Sequence, residues 1–277
     1  MNRIAFTPNS RRTRLLVTLI AVAALPAADV SGGHLQCPAE RLPRAEPSDP
    51  VRGRMLVLPG VYNTRFQLRG FVERAQARLP AFEIEVRPWG TRMLPLRNLR
   101  AYERNLETAD GIAEEIADWR RSNPDGRFYL VGYSGGGGVA ALVVSALPDD
   151  VAIDRLILVA PAISPDYPLE REVLGHVREF VVNYASERDL QVGWGTRTFG
   201  TIDRKQSVSA GAIGFAVDDP KLVQWHWLAA DAACGHRGNH VAYLDRRWQR
   251  AALLPAIDPA ETAESLADRW AARHEEH

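Results

Sequence analysis

The sequence lacks several features that would place it in common functional classes. Its 34 basic and 34 acidic residues cancel, so it has no excess of positive charge of the kind that nucleic-acid-binding proteins use. No apolar run reaches the roughly twenty residues of a membrane-spanning helix. No Gly-Lys-Ser or Gly-Lys-Thr follows the glycine-rich segment, which argues against a nucleotide-binding loop. These absences favour a globular protein that acts on small molecules and binds no nucleic acid.

The first 32 residues have the pattern of an export signal. An apolar run at residues 15–25 is preceded by four arginines, Arg3, Arg11, Arg12 and Arg14. Small residues follow the run, as at a signal cleavage site. We therefore predict that residues 1–32 are a signal peptide or an amino-terminal anchor. The protein would be periplasmic or secreted, and any membrane association would be through this segment.

The remainder of the chain is predicted to form an arm followed by one domain. Residues 33–53 are rich in proline and charge, which favours an irregular arm over a strand. The two cysteines are Cys37, in this arm, and Cys234, near the other end of the domain at residues 54–277. After export they would lie in an oxidising compartment, where one bridge could join them. Because spacing alone does not fix their geometry, a bridge and two free thiols both remain open.

The pattern of the domain predicts an α/β fold. Short runs that consist almost entirely of apolar residues and are bounded by turn residues are typical of strands buried on both faces. They occur at residues 55–58, 82–87, 128–132, 153–160, 177–184 and 222–227. Between them, residues 102–121 have apolar positions at helical spacing, and a last helix is predicted from Asp258 to about His274. We expect a mostly parallel central sheet with helices on both faces.

One serine motif has a setting that suggests chemistry. Gly132-Tyr133-Ser134-Gly135-Gly136 directly follows a predicted strand and directly precedes a predicted helix. A serine between flanking glycines at such a junction is typical of a nucleophile elbow, a sharp turn that lifts the hydroxyl clear of the sheet. The glycines 135–138 would weaken an ordinary helix, so we expect another backbone or a substrate to approach them closely.

With this motif and the order of the candidates after it, the chain resembles the α/β-hydrolase family over most of residues 54–250. The resemblance implies an α/β-hydrolase fold and a Ser-His-Asp triad with Ser134 as nucleophile. Residues 59–61, Pro-Gly-Val, follow the first strand and resemble the family's oxyanion loop. This similarity indicates Val61 and Gly135 as the backbone donors of an oxyanion hole.

The resemblance also indicates the acid of the triad. The strand at 177–184 is followed by Asp189, which resembles the family's carboxylate at the end of the strand before the last. Glu187 is a competitor. Asp218 and Asp219 are closer to the histidines in sequence, but the following Pro220 favours a turn at these positions.

The base is predicted in the loop after the last strand. There, Gly238-Asn239-His240 resembles the family's histidine loop, and His240 is the best candidate. His236 is the main alternative, whereas His226 lies in an apolar strand and is interpreted as a packed residue. Cys234, His236 and His240 could instead bind zinc, but the spacing of these three residues fits no common zinc site.

The predicted activity is hydrolysis of an acyl ester through an acyl-enzyme, without a cofactor or metal. Only about twenty residues lie between the fourth and fifth predicted strands, so any lid over the site is small or absent. Residues 191–214 are the expected source of substrate contacts. A peptidase or an acyltransferase of the same fold, or a catalytically silent binding protein, are the alternatives.

Overall fold

A parallel sheet forms the centre of the molecule. The computed structural model describes residues 37, 52–92 and 94–275. The six strands are β1 (Gly53–Leu58), β2 (Phe82–Val86), β3 (Arg127–Tyr133), β4 (Ile153–Val159), β5 (Val177–Ala185) and β6 (Leu222–His226). Their order is β2-β1-β3-β4-β5-β6, and every neighbouring pair is parallel. The predicted α/β architecture is therefore confirmed.

Helices cover both faces of this sheet. The α-helices are α1 (Arg69–Arg78), α2 (Pro95–Arg100), α3 (Tyr102–Ser122), α4 (Gly135–Ser145), α5 (Leu169–Glu172), α6 (Thr196–Phe199), α7 (Ala210–Ile213), α8 (Arg246–Trp248), α9 (Leu254–Ile257) and α10 (Ala263–Glu275). Helix α4 packs against α3 and the central strands, α1 contacts α9, and α10 contacts β5 and β6. Within the described residues, none of the helices has the length and apolar character that crossing a membrane requires.

The apolar strands are explained by this double covering. Every residue of β4 is buried, and β3 is buried after its first residue. In a parallel sheet all carboxyl ends lie at one edge. Consequently, the loops after β1, β3, β5 and β6 emerge together, and these loops carry the residues that the sequence indicates for catalysis.

The last helix begins later than predicted. The expected start at Asp258 is wrong, because Asp258 instead forms a turn in which its carboxylate accepts from the Ala260 amide at 3.1 Å. Helix α10 starts at Ala263, and the Thr262 hydroxyl accepts from the Ser265 amide at 3.1 Å, as an N-cap does.

A buried arginine binds the segment that joins α9 to α10. The guanidinium of Arg155, on β4, lies between the rings of Tyr129 and Phe180, with centroid distances of 5.0 and 4.6 Å. It pairs with Glu179 and donates to the oxygen of Ala256, in α9, at 3.0 Å, and to those of Asp258 and Glu261, after α9, at 2.6 and 2.8 Å. Because Arg155 binds these carbonyls, the chain after α9 is held against β4, and α10 begins only after this contact.

A disulfide bond joins Cys37 to Cys234, 197 positions later in the sequence. The sequence left open whether the two cysteines form a bridge or remain free thiols, and the structure contains the bridge. The predicted signal peptide at residues 1–32 lies outside the described residues, and so does the predicted arm at 33–53 apart from Cys37 and its last two residues.

Replacement of Arg155 should destabilise the fold strongly. In Arg155→Met, the Glu179 carboxylate and the three main-chain carbonyls lose the buried cation that binds them. We therefore expect the free energy of unfolding to fall by roughly 3–5 kcal/mol. The control is Arg171→Met, because the Arg171 side chain is 77% exposed in its pair with Glu172. Its effect should be below about 1 kcal/mol. Urea denaturation of both variants measures the difference, and equal losses would contradict the role of Arg155.

Candidate active site

Ser134 occupies the turn between β3 and α4 in a strained conformation. Its φ of 56° and ψ of −123° lie where few residues other than glycine occur. The turn is fixed by main-chain bonds, since the Ser134 amide donates to the Val159 oxygen at 2.8 Å and its own oxygen accepts from Gly137 and Ala162. The turn therefore holds Ser134 at the carboxyl edge of the sheet, between β3 and α4.

The glycines around Ser134 permit a contact between two backbones. A Cβ on Gly136 would lie 2.3 Å from the Leu58 oxygen and 2.4 Å from that of Pro59. A Cβ on Gly132 would lie 2.5 Å from the Gly136 oxygen. Such distances exclude any side chain at these two positions. The close approach that the glycine run suggests is thus made by β1 and the loop after it.

This contact places the two predicted oxyanion donors next to each other. Gly135 is the first residue of α4, where a helix has amides without intrahelical partners. The position of a Cβ on Gly135 is 3.4 Å from the Val61 nitrogen, and that of a Cβ on Gly60 is 3.4 Å from the Ser134 Cβ. The structure therefore brings Val61, Gly135 and Ser134 together, with the positive end of the helix dipole at the same point.

Three side chains that the sequence analysis missed hold the loop containing Val61. The indole nitrogen of Trp89 donates to the Pro59 oxygen at 2.6 Å, and the Trp89 amide donates to Asn63 at 2.8 Å. Asn98, which is fully buried on α2, donates to the Val61 oxygen at 2.7 Å. These bonds fix the loop beside Ser134. No local motif marks the asparagines, whose partners are distant in sequence.

Asp189 and His240 form a buried pair after β5 and β6. Nδ1 of His240 lies 2.6 Å from Oδ2 of Asp189, which is 0% exposed. The other carboxylate oxygen accepts from the Gln191 amide at 3.0 Å. With Nδ1 bonded to the carboxylate, Nε2 is the ring nitrogen left to exchange a proton with another group.

Tyr133 links this pair to the serine. Its ring stacks on His240 with centroids 4.9 Å apart, and its hydroxyl donates to the His240 main-chain oxygen at 3.0 Å. Because Tyr133 directly precedes Ser134, the histidine packs against the residue next to the predicted nucleophile. Burial raises the pKa of Tyr133 above its usual range, so the hydroxyl stays protonated and able to donate.

The alternative acids differ from Asp189 in their surroundings. Glu187 is exposed beyond the end of β5. Asp218 and Asp219 lie before β6, at the amino end of the strand, where the Asp219 carboxylate accepts from the Lys221 amide at 2.8 Å. His226 is the last residue of β6. None of these three carboxylates is hydrogen bonded to His240 among the described contacts, whereas Asp189 is.

His236, the alternative base, is part of the core. It is fully buried, its Nδ1 accepts from the Gly238 amide at 3.0 Å, and its ring packs on Tyr243 and Trp248. Burial lowers the pKa of His236 to about 3, so the ring is neutral. Cys234 is bound in the disulfide and cannot supply a thiolate for the zinc site considered from the sequence.

A six-stranded parallel sheet in this order, with a strained serine at the turn after β3, defines the α/β-hydrolase fold. No protein-family model matches the sequence, and no curated protein matches it either.

Several solved structures are similar to this chain. A Klebsiella pneumoniae protein assigned as a dienelactone hydrolase is 12% identical, over 78% of this chain and 90% of its own, with a TM-score of 0.46. Esterase PE8 is 17% identical, over 69% and 85%, with a TM-score of 0.42. A Lactobacillus plantarum protein assigned as a cell surface hydrolase is 13% identical, over 80% and 98%, with a TM-score of 0.45. Because these TM-scores and sequence identities are low, the fold assignment rests on the strand order and the serine turn.

A methyl group at Gly136 should disrupt the contact with β1. We expect Gly136→Ala to lower the free energy of unfolding by at least about 2 kcal/mol, because its Cβ would overlap the Leu58 oxygen. Gly111→Ala is the matched control, since Gly111 lies within α3 with nothing within 4 Å of its Cβ position. It should stabilise the protein by up to about 1 kcal/mol. Chemical denaturation measures both, and a neutral Gly136→Ala would refute the packing argument.

The buried neutral His236 should make stability depend on pH. Its folded pKa of about 3 lies below the unfolded value of about 6.5, so the unfolded chain alone takes up a proton between these values. Stability should therefore fall as the pH falls through this window and be unaffected above it. Between pH 6.5 and 5, wild type should lose about 1.6 kcal/mol more than His236→Asn, which keeps an acceptor for the Gly238 amide. Equal pH slopes in urea denaturation would show that folding does not lower the pKa of His236.

Proposed function

We propose that this protein is a serine hydrolase that cleaves acyl esters, with Ser134 as nucleophile, His240 as base and Asp189 as the acid that orients it. The observation that carries the proposal is the buried 2.6 Å contact between Nδ1 of His240 and Oδ2 of Asp189. It lies at the same edge of the sheet as the strained turn at Ser134. The stacking of His240 on Tyr133 supports the same assignment.

In the proposed reaction, Oγ of Ser134 attacks the ester carbonyl while Nε2 of His240 takes its proton. Asp189 keeps the imidazole in the tautomer with a proton on Nδ1 and stabilises the imidazolium. The amides of Val61 and Gly135 donate to the oxyanion of the tetrahedral intermediate. His240 then gives the proton to the alkoxide oxygen as its bond to the carbonyl carbon breaks, and the alcohol leaves. In the second half, His240 takes a proton from water as the water attacks the acyl-enzyme, and returns it to Oγ of Ser134 as the carboxylic acid is released. No step requires a metal or an organic cofactor.

Exposed apolar side chains around the site support an ester with an apolar part. Tyr62, Leu190 and Val241 are 52%, 71% and 61% exposed. Each directly follows one of the proposed site residues, Val61, Asp189 and His240. Trp194, in the segment 191–214 that the sequence predicts to contact substrate, is also exposed. Apolar side chains in such positions suit an acyl or alcohol chain.

We also propose that the protein acts after export. The disulfide between Cys37 and Cys234 supports this proposal, because such bonds persist in oxidising compartments. The signal-like residues 1–32 support it independently.

The proposal is tested by labelling and by kinetics. A fluorophosphonate probe should modify wild type at Ser134, and Ser134→Ala should lose the label together with at least about 1000-fold in kcat for ester hydrolysis. Ser122→Ala, at an exposed serine at the end of α3, is the control that should keep both. Ester hydrolysis by Ser134→Ala would refute the assignment. Cleavage of aminoacyl amides instead of esters would indicate a peptidase, and an unlabelled wild type a silent binding protein.

A further inference from the structure

The exposed apolar side chains are concentrated at one edge of the sheet. Among the described residues, the large apolar side chains that are exposed are Tyr62, Phe66, Leu94, Leu96, Leu190, Trp194, Ile213 and Val241. All of them lie in segments that follow the carboxyl end of a strand, β1, β2, β5 or β6. None lies in the segments that enter the strands at the opposite edge, residues 79–81, 123–126, 146–152, 173–176 and 217–221. Single exposed apolar residues are normal, but their concentration at one edge is typical of a contact surface.

Six of these side chains belong to loops that meet near the serine turn. We call them the apolar rim: Tyr62, Phe66, Leu190, Trp194, Ile213 and Val241. The loop after β1 carries the first two and contacts the turn, since the Cβ position of Gly60 is 3.4 Å from the Ser134 Cβ. The 2.6 Å contact between Asp189 and His240 joins the residues that directly precede Leu190 and Val241. These loops therefore present their apolar side chains around one site.

Helix α7 adds Ile213 to this rim. The Cβ position of Gly193 is 3.9 Å from the Cβ of Ala212, and the two elements that carry these residues pack on each other. Trp194 directly follows Gly193, and Ile213 directly follows Ala212. The two exposed side chains thus belong to one packed unit beside the loop that carries Asp189.

Unpaired arginines lie between the residues of the apolar rim. We call them the rim arginines: Arg65, Arg188, Arg197 and Arg237, all of which are exposed. Within the part of the chain that the structure describes, none of them forms a salt bridge with a carboxylate. The segments that carry them, residues 59–68, 186–198 and 235–241, contain one exposed carboxylate, that of Glu187, because Asp189 is buried. This edge therefore has an excess of positive charge.

Exposed arginines at the opposite edge have carboxylate partners. Arg121, before β3, pairs with Asp118 and Asp150 at 3.5 and 4.0 Å, and Arg171, before β5, pairs with Glu172 at 2.7 Å. The whole sequence has equal numbers of basic and acidic residues, so the excess at the apolar rim is a matter of position. A negatively charged surface would consequently orient the protein with the carboxyl edge of its sheet toward it.

We propose that the apolar rim and the rim arginines bind an anionic phospholipid surface, and that the ester cleaved at Ser134 belongs to a lipid of that surface. The apolar side chains would enter the boundary between headgroups and acyl chains, while the arginines bind phosphates. Separate loops, each with an arginine nearby, suit a fluid surface better than a rigid protein partner. The sequence alone predicts membrane contact only through residues 1–32, and the loops provide a second contact. The choice of substrate rests on the proposed esterase function, whereas the binding does not.

Flotation with vesicles tests the role of the charge. Full-length Ser134→Ala, which cannot consume the lipid by the proposed reaction, should bind vesicles of equal parts phosphatidylcholine and phosphatidylglycerol. Adding Arg65→Gln/Arg197→Gln should weaken this binding roughly 10- to 30-fold. Adding Arg121→Gln/Arg171→Gln instead removes the same net charge at the opposite edge and should change it less than about 2-fold. Equal losses in the two double variants, or equal binding to phosphatidylcholine alone, would overturn the proposal.

A second pair of variants tests the apolar rim. Phe66→Ser/Trp194→Ser should weaken vesicle binding at least about 10-fold, because side chains that are 83% and 63% exposed would no longer enter the lipid. Phe66→Leu/Trp194→Leu should stay within about 3-fold of the parent protein. Every variant keeps residues 1–32, so differences among them report the loops. If the serine substitutions instead dissociated a dimer in sedimentation and left vesicle binding unchanged, the rim would bind a second copy and the proposal would be wrong.

Hydrolysis separates this proposal from the esterase function. Wild type should release fatty acid from the mixed vesicles, and Arg65→Gln/Arg197→Gln should release it at least about 10-fold more slowly than Arg121→Gln/Arg171→Gln. Hydrolysis of water-soluble 4-nitrophenyl acetate without rim-dependent vesicle binding would refute the lipid surface and retain the esterase. Rim-dependent binding by a protein that hydrolyses neither ester would refute the esterase and retain the surface. Rim-dependent binding with hydrolysis of the soluble ester alone would overturn the lipid as substrate.

Discussion

The structure of the site depends on one contact in which two backbones touch without side chains between them. The start of α4 approaches the end of β1 so closely that a Cβ on Gly136 would overlap the Leu58 and Pro59 oxygens. This approach aligns the helix amides with the loop after β1 and forces Ser134 into its positive φ. The strain at the serine is therefore a consequence of how the helix packs on the sheet. Bulk at the glycines would separate Ser134 from the two amides proposed as oxyanion donors.

Packing between distant segments positions the remaining site residues. Asn98 and Trp89 hold the loop after β1 through its carbonyl oxygens, and Tyr133 connects the serine turn to His240 through both its ring and its hydroxyl. Buried hydrogen bonds of this kind are costly to break, because the orphaned carbonyls would find no water. The loops are thus pre-organised by the body of the domain, as electrostatic stabilisation of a transition state requires.

The sequence contained enough information for the sheet, because strands buried on both faces read as apolar runs with clear ends. It also indicated the serine turn, since a strand, a Gly-x-Ser-x-Gly motif and a helix follow one another without interruption. The role of Asn98 was not predictable, because its partner Val61 lies 37 positions away and no periodicity connects them. The start of α10 was mispredicted for the same reason. A carbonyl bound by Arg155, more than 100 positions earlier, overrides a local helix signal at Asp258.

The disulfide between Cys37 and Cys234 has a consequence for the order of folding. The two cysteines are the only ones in the sequence, so a single chain has one internal pairing and no mispaired isomer to correct. During synthesis Cys37 emerges long before its partner, which lies 197 residues later, beyond the last strand. Its thiol therefore has no partner within the chain until residues beyond the last strand have been synthesised. The bond then ties the segment before β1 to the segment after β6, so nearly the whole chain lies within the loop that it closes.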